Sequence, residues 1–136
     1  MTELPTENTW QKGFYFAANG PTDSGDGCNM RFGNNQIVMG FSSDGDDTGS
    51  PYVPDINVWH HFRVTRDENN VVNVYVDGIL LNSYTKSSNF YAGTNYGFAI
   101  GRVEPQATTT SDTGFRGNIA NYHISNIVRT YSYIDI

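Results

Sequence analysis

The stretch WHHFRVTRDENNVVNVYVDGILLNSYT, from Trp59 to Thr85, decides the fold. Two runs in it, 62–65 and 72–77, alternate an apolar residue with a more polar one, and Ile79 begins a third run. Period-2 alternation rich in β-branched and aromatic residues indicates strands with one buried face. Asp77-Gly78 separates two of the runs, and Asp and Gly reach the positive φ angles of a type I′ hairpin at least cost. The stretch therefore predicts three strands joined by two turns.

The composition of the whole chain is that of an all-β protein. Its 136 residues are enough for one domain with a sizeable core. Tyr, Phe, Gly, Asn and Thr are abundant, whereas no run carries apolar residues at helical spacing. We expect an N-terminal arm over residues 1–9, a single domain over residues 10–136 and very little helix.

Outside the central stretch, short strand candidates alternate with loops rich in Gly, Asp, Asn and Pro. The predicted strands are 10–18, 28–32, 36–42, 96–102 and 115–125, with a last one after Asn126. The predicted loops are 19–27, 43–57, 86–95 and 103–114, and 67–70 forms the longer turn of the meander. Ile119 and Ile124 are out of phase, which suggests a bulge near Asn121. Eight or nine such strands predict an antiparallel β-sandwich of the jelly-roll type.

The charge and the segment composition exclude several classes of protein. A net charge of −6 with scattered arginines argues against nucleic acid as a partner, because phosphate binding takes clustered Lys and Arg. No apolar segment is long enough to span a bilayer. The first residues, MTELPTENTW, lack the basic start and apolar core of a signal peptide. The single cysteine, Cys28, rules out an internal disulfide framework.

Several residues resemble a known family. The segments 59–62, 65–67 and 74–78 resemble the "WHHVAVTRD…LYVDG" stretch of laminin-G-like domains, which belong to the concanavalin A-like jelly-roll superfamily. Ile100–Arg102 is similar to the "IGR" strand that follows there, and 115–129 is similar to its closing strand. The resemblance implies the sandwich fold. It leaves the activity open, since such domains occur in adhesive, lectin-like and enzyme-attached modules and in surface proteins of virions.

The two ends of the chain extend the resemblance. The segment 127–131 is similar to the tail of many phage-encoded members of the family. Family members usually carry one or two more strands before the position of Trp10, whereas nine residues precede it here. An uncovered sheet edge invites pairing with another strand. Either the polar arm folds back as a short strand or a neighbouring chain supplies the pairing, and we expect the neighbour.

The sequence does not indicate a catalytic site. Glycosidases of this superfamily need paired carboxylates facing each other, and no glutamate here has a second acid two residues away on a strand. His60 and His61 are adjacent, so they point to opposite faces of a strand and cannot hold one ion together. We expect these two histidines and His123 to pack structurally, and we predict that the protein is not an enzyme.

One loop fits a metal-binding pattern. Asp44, Asp46, Thr48, Gly49 and Asp55 fall at positions 1, 3, 5, 6 and 12 of a calcium loop. The twelfth position is Asp rather than the longer Glu, a proline interrupts the loop and no helix flanks it. A solvated loop in a protein without a cofactor is the simpler interpretation, and a Ca²⁺ site at the rim of the sandwich is the alternative.

Another loop carries aromatic residues suited to ligands. Asn89, Phe90 and Tyr91 could bind a glycan by stacking and hydrogen bonding, assisted by Tyr52 or Tyr122. The same aromatics would serve a protein contact equally well. Taken singly, each aromatic is more simply interpreted as a cap over the core.

We draw two functional hypotheses. The first is a non-enzymatic virion surface protein, a capsid decoration or fibre component, made in a host cytosol without a signal peptide. It would attach to other virion proteins or to copies of itself through sheet edges and termini, and would display its loops for adhesion to glycan or protein. The second is a free-standing carbohydrate-binding, lectin-like module, with calcium as an optional ligand, secreted after removal of a leader.

Overall fold

A computed structural model describes residue 1 and the ranges 10–16, 28–40, 48–86, 98–101 and 112–125. These ranges hold nine strands and no helix, and hence no helix able to cross a bilayer. The strands are β1 Trp10–Phe16, β2 Cys28–Gly33, β3 Gln36–Gly40, β4 Thr48–Pro51, β5 Phe62–Arg66, β6 Val71–Val76, β7 Ile79–Thr85, β8 Phe98–Ile100 and β9 Asp112–Gly114. The chain divides into two compact units, residues 1–58 with 88–118 and residues 59–87 with 119–136.

The first unit contains a six-stranded sheet in the order β4-β3-β2-β1-β8, with β9 also paired to β1. The antiparallel pair β2–β3 is joined by the short Asn34-Asn35 turn. Both asparagines have positive φ angles, 48° and 58°, as a type I′ hairpin requires. A register shift between Lys12 and Phe14 marks a bulge at Gly13, which divides β1 into two halves. β9 runs parallel to the first half, and β8 runs antiparallel to the second.

The core of the first unit is centred on β3. Ile37, Val38 and Met39 are all buried, so this strand is covered on both faces, and Phe32 of β2 is buried beside it. A continuous apolar run rather than an alternating one is typical of a strand covered on both faces. Phe32 also contacts the Phe115 ring at a centroid distance of 5.8 Å.

The second unit contains the antiparallel sheet β5-β6-β7, as the central stretch predicts. Val72, Val74 and Val76 are buried while the residues between them are half-buried, which confirms the alternation read from the sequence. Burial of this valine row stabilises the meander by about 1.5 kcal/mol or more per side chain.

The two turns of the meander have the geometry that their residues predict. Asp77 and Gly78 adopt φ angles of 52° and 81°, which confirms the type I′ hairpin. In the longer turn, the Asp67 carboxylate accepts hydrogen bonds from the backbone N–H groups of Asn69 (2.9 Å) and Val71 (2.8 Å). Asn70 takes the left-handed φ of 62° that closes this turn. Left-handed backbone angles therefore occur in both turns, and local hydrogen bonds to Asp67 fix the longer one.

Two predictions about strand boundaries are wrong. Residues 48–51, placed in a long loop, form β4, because their backbone pairs with the neighbouring β3 despite the Gly and Pro content. The strand predicted over 115–125 does not form. β9 pairs with the edge of β1. Asn121, near which we expected a bulge, has a left-handed φ of 53°, which is not an extended conformation.

Candidate functional site

Most of the residues predicted to form a site lie outside the described residues. This holds for the glycan candidates Asn89, Phe90 and Tyr91 and for the calcium candidates Asp44 and Asp46. Both sites therefore stay predictions.

The remaining candidates occupy the start of β4 and the segment after it. Thr48 and Gly49 are extended in β4 and pair with Met39 and Val38. A calcium loop turns sharply at its sixth position, so an extended Gly49 does not follow that pattern. Asp55 is exposed, and in the described part of the chain no three His, Cys, Asp or Glu side chains come close enough to hold a metal ion.

The segment 52–58 of the first unit, which we call the apolar rim, displays large aliphatic side chains to solvent. Val53, Ile56 and Val58 are each about half exposed. The rim is held at both ends by backbone hydrogen bonds, from Tyr52 N–H to the Asn35 carbonyl (2.9 Å) and from Asn57 N–H to the Met1 carbonyl (2.7 Å). Within the rim, Tyr52 is half-buried and Pro54 is buried, so both side chains pack against the rest of the first unit. The chain thus presents apolar side chains from a fixed backbone.

In the second unit, the Asp77 carboxylate joins the β6–β7 hairpin to the residues before β5. Its Oδ2 accepts a hydrogen bond from His60 Nδ1 (2.8 Å), and its Oδ1 accepts one from His61 N–H (2.8 Å). The Asp77 N–H in turn donates to the His61 carbonyl (2.9 Å). His60 therefore has a structural role through its ring, and His61 has one through its backbone.

The electrostatics of this pair agree with a structural role. Partial burial by itself raises the pKa of Asp77. The hydrogen bonds from His60 and His61, with the electrostatic attraction of both imidazole rings, lower this pKa by a larger amount. The net effect is a pKa below the ordinary 3.8. Asp77 is thus a stable carboxylate at neutral pH, unlike a general acid, whose pKa must lie near the working pH.

Three large apolar residues that lie near this pair in the sequence are exposed. Trp59 is 66% exposed, Ile79 74% and Leu80 50%. Trp59 precedes His60, whereas Ile79 pairs with Val76 and Leu80 pairs with Tyr75. Ile79 and Leu80 therefore lie on opposite faces of the sheet, and the three side chains do not form one surface. The sequence contains no signal that would have identified their exposure.

The face of this sheet opposite the valine row is more polar. The Arg63 guanidinium lies 4.0 Å from the centre of the Tyr75 ring, and Tyr75 pairs in turn with Leu80. Such a cation–π contact holds both side chains flat against the sheet. Arg63 and Leu80 therefore share the face of the sheet that lies opposite Ile79.

The described surface is suited to binding rather than to acid–base chemistry. In the described part of the second unit, both oxygens of the Asp77 carboxylate are used in hydrogen bonds to His60 and His61. The more prominent feature is the apolar rim. Exposed apolar groups of this size on a folded protein are typical of contact surfaces.

Comparison with known proteins agrees with the fold. A family model described as the concanavalin A-like lectin/glucanases superfamily matches residues 4–135, nearly the whole chain. The protein belongs to this superfamily, in which laminin-G-like domains typically act as non-catalytic binding modules. The predicted fold class, an all-β antiparallel β-sandwich of the jelly-roll type, is thereby confirmed.

The comparisons with solved structures and with curated proteins are less informative. Among solved structures the chain is similar to an S-layer domain-containing protein from Clostridium thermocellum, at 16% identity and a TM-score of 0.38. The alignment covers 93% of this chain but 61% of that one. A comparison with curated proteins found no match.

Proposed function

We propose that this protein is a non-enzymatic surface component of a virion, a capsid decoration or fibre protein that binds another protein of the particle. The observation that carries the proposal is the apolar rim, because a fixed backbone that exposes three aliphatic side chains has the properties of a docking surface. The membership of a family of binding modules supports the non-enzymatic part.

The chemistry of the rim favours a protein partner over a sugar. Sugar rings bind to flat aromatic faces flanked by polar groups. The exposed rim residues Val53, Ile56 and Val58 are aliphatic instead, and Asp55 is the only charged residue among them. Aliphatic side chains gain free energy by leaving water against another apolar surface, at about 25 cal/mol per Å².

The virion role is tested by incorporation into particles. The full chain, carrying a small epitope tag, is expressed in cells that are producing the particles, and purified particles are probed by immunogold electron microscopy and mass spectrometry. We expect the wild type in stoichiometric amounts and at least tenfold less of Ile56→Asp. Asn118→Asp adds the same charge at another exposed position of the first unit and should be incorporated normally.

Two results would overturn the proposal. One is a wild-type chain that is absent from purified particles. The other is an Ile56→Asp variant that is incorporated like the wild type, which would show that the rim is not the docking surface.

A lectin-like module is the second candidate, favoured by the lectins that give the superfamily part of its description. In this proposal Tyr52, at the base of the rim, and the loop residues Asn89, Phe90 and Tyr91 would contact the sugar. A glycan array with the wild type, Phe90→Ala and Tyr91→Ala tests it. Binding that both substitutions abolish, while Ile56→Asp leaves it intact, would establish this candidate in place of the first.

A further inference from the structure

Residues 115–117 of the first unit, which we call the supporting segment, bond to the six-stranded sheet through their backbone. The Arg116 N–H donates to Oε1 of Gln11 at 2.9 Å, and the Gln11 side chain is buried in β1. The Phe115 N–H donates to the Gly101 carbonyl, directly after β8, at 2.9 Å. Two successive backbone positions of the supporting segment are therefore fixed by the sheet.

The last residue of the supporting segment, Gly117, lies against the backbone of Met1. A Cβ atom added at Gly117 would be 2.9 Å from the Met1 Cα and 2.9 Å from Cε1 of the Phe115 ring. Real Cβ atoms essentially never come closer than 3.0 Å to another heavy atom. Glycine is the residue that allows such a close approach of another backbone segment. Any larger residue at position 117 must therefore displace Met1 or the Phe115 ring.

Met1 in turn holds the apolar rim. Its carbonyl accepts the Asn57 N–H at 2.7 Å, and Asn57 has a left-handed φ of 60°. A residue other than glycine keeps such a backbone angle where the surrounding structure holds it. Ile56 and Val58, two of the exposed aliphatic residues of the rim, flank Asn57 on either side. The bond to Met1 therefore holds the backbone between these two side chains in one conformation.

We propose that Gly117 is a positioning residue for the apolar rim, because it admits the Met1 backbone that holds Ile56 and Val58 in place to bind the partner. The inference rests on the proposed docking function of the rim. A surface that already has its binding conformation loses less conformational entropy on association. The apparent affinity falls with the fraction of molecules whose rim has that conformation. A substitution outside the rim should therefore weaken docking.

Amide hydrogen exchange, followed by NMR on the purified full chain, tests the positioning. Gly117→Ala should accelerate exchange of the Asn57 N–H by about tenfold or more, because the added methyl group displaces Met1. The Tyr52 N–H, bonded at the other end of the rim, should exchange as in the wild type and is the internal control. Asn118→Ala, at the adjacent exposed position, is the matched control and should leave both amides unchanged.

The same variants are then compared for incorporation into particles. Gly117→Ala should be incorporated at least roughly threefold less than Asn118→Ala. Three results would overturn the inference: exchange at Asn57 that Gly117→Ala leaves unchanged, equal acceleration at Tyr52, or incorporation of Gly117→Ala equal to that of the control.

If Gly117→Ala fails to fold by circular dichroism, Gln11→Met replaces it. Met is similar to Gln in length but has no oxygen to accept the Arg116 N–H, so it should release the supporting segment and accelerate exchange at Asn57. The proposed function fails separately. A wild type absent from particles, or Ile56→Asp incorporated like the wild type, would refute docking by the rim and would leave the exchange result unchanged.

Discussion

At the scale of single residues, Asp77 shows how one side chain can serve both backbone geometry and tertiary contact. Its left-handed φ of 52° begins the hairpin turn, while its carboxylate bonds to His60 and to the backbone of His61. Asp tolerates this conformation better than most residues because its short side chain bonds locally. Asp77 therefore allows the turn and also fixes the segment that precedes β5.

The lowered pKa of Asp77 predicts a pH dependence. The folded protein binds the ionised form better than the unfolded chain does, so the contribution of Asp77 to the free energy of unfolding is complete above about pH 5. It is lost as the pH falls through the folded pKa, which lies below 3.8. Urea denaturation of wild type and Asp77→Asn should thus show a stability difference at about pH 5 that shrinks below about pH 4. Asn keeps the left-handed turn and one oxygen that can accept the His61 N–H, so the comparison tests the Asp77 charge together with its hydrogen bond from His60.

The control for this experiment is Asp55→Asn, which removes an exposed carboxylate. Its stability should follow the wild type across the same pH range. A difference between Asp77→Asn and wild type that persists unchanged to pH 2 would contradict the assigned role of Asp77.

Asp67 provides a second test at this scale. Because its carboxylate accepts two backbone N–H groups in the turn before β6, Asp67→Ala should lower the free energy of unfolding by about 1–2 kcal/mol. Asp67→Asn, which keeps an acceptor oxygen, should lose less. Glu68→Ala, at an exposed position of the same turn, should change stability by less than about 0.5 kcal/mol. Urea denaturation measures all three, and equal losses for Ala at 67 and 68 would refute the assignment.

At the scale of elements, β6 is the strand whose sequence and environment agree best. Its alternate valines are buried, and its intervening residues form the more exposed face. Residues 115–125 show the opposite case. Their sequence predicts a strand with one change of phase, yet Ile119 and Ile124 are both exposed. Phe115 and Arg116 donate their N–H groups to the Gly101 carbonyl and the Gln11 side chain instead. Alternation indicates a preference for strand, but a strand forms only where a neighbouring strand is present to pair with it.

Truncation within β6 should reveal the buried face of the meander. Val74 is 1% exposed, so Val74→Ala removes two buried methyl groups and should cost about 2 kcal/mol, including the cavity left behind. Val71→Ala, at a half-buried position of the same strand, should cost less than about 1 kcal/mol. Guanidinium denaturation checks both values. Equal costs would mean that Val74 and Val71 are equally accessible.

At the scale of the whole molecule, surface chemistry distinguishes this protein more than its fold does. The superfamily supplies a sandwich that serves many activities, and function lies in the sites placed on it. The apolar rim is the site that we propose here.

Calcium should have no effect on the stability of the whole molecule. Gly49 is extended in β4 where a calcium loop would turn, so 1 mM CaCl₂ should shift Tm by less than about 1 °C. Differential scanning calorimetry after treatment with a chelator measures this. A larger rise that Asp55→Asn abolishes would instead establish the calcium site predicted with Asp44, Asp46 and Thr48.

The sequence by itself determined the meander, its two turns and the buried valine row, because these depend on alternation and on hydrogen bonds between near neighbours in the chain. Only the tertiary structure decided that β9 pairs with β1, about 100 residues earlier, and that Trp59, Ile79 and Leu80 face solvent. Pairing of this kind depends on which strand edges the rest of the chain leaves open. Exposure depends in the same way on what covers a residue. Local sequence therefore encodes neither the strand pairing nor the exposure.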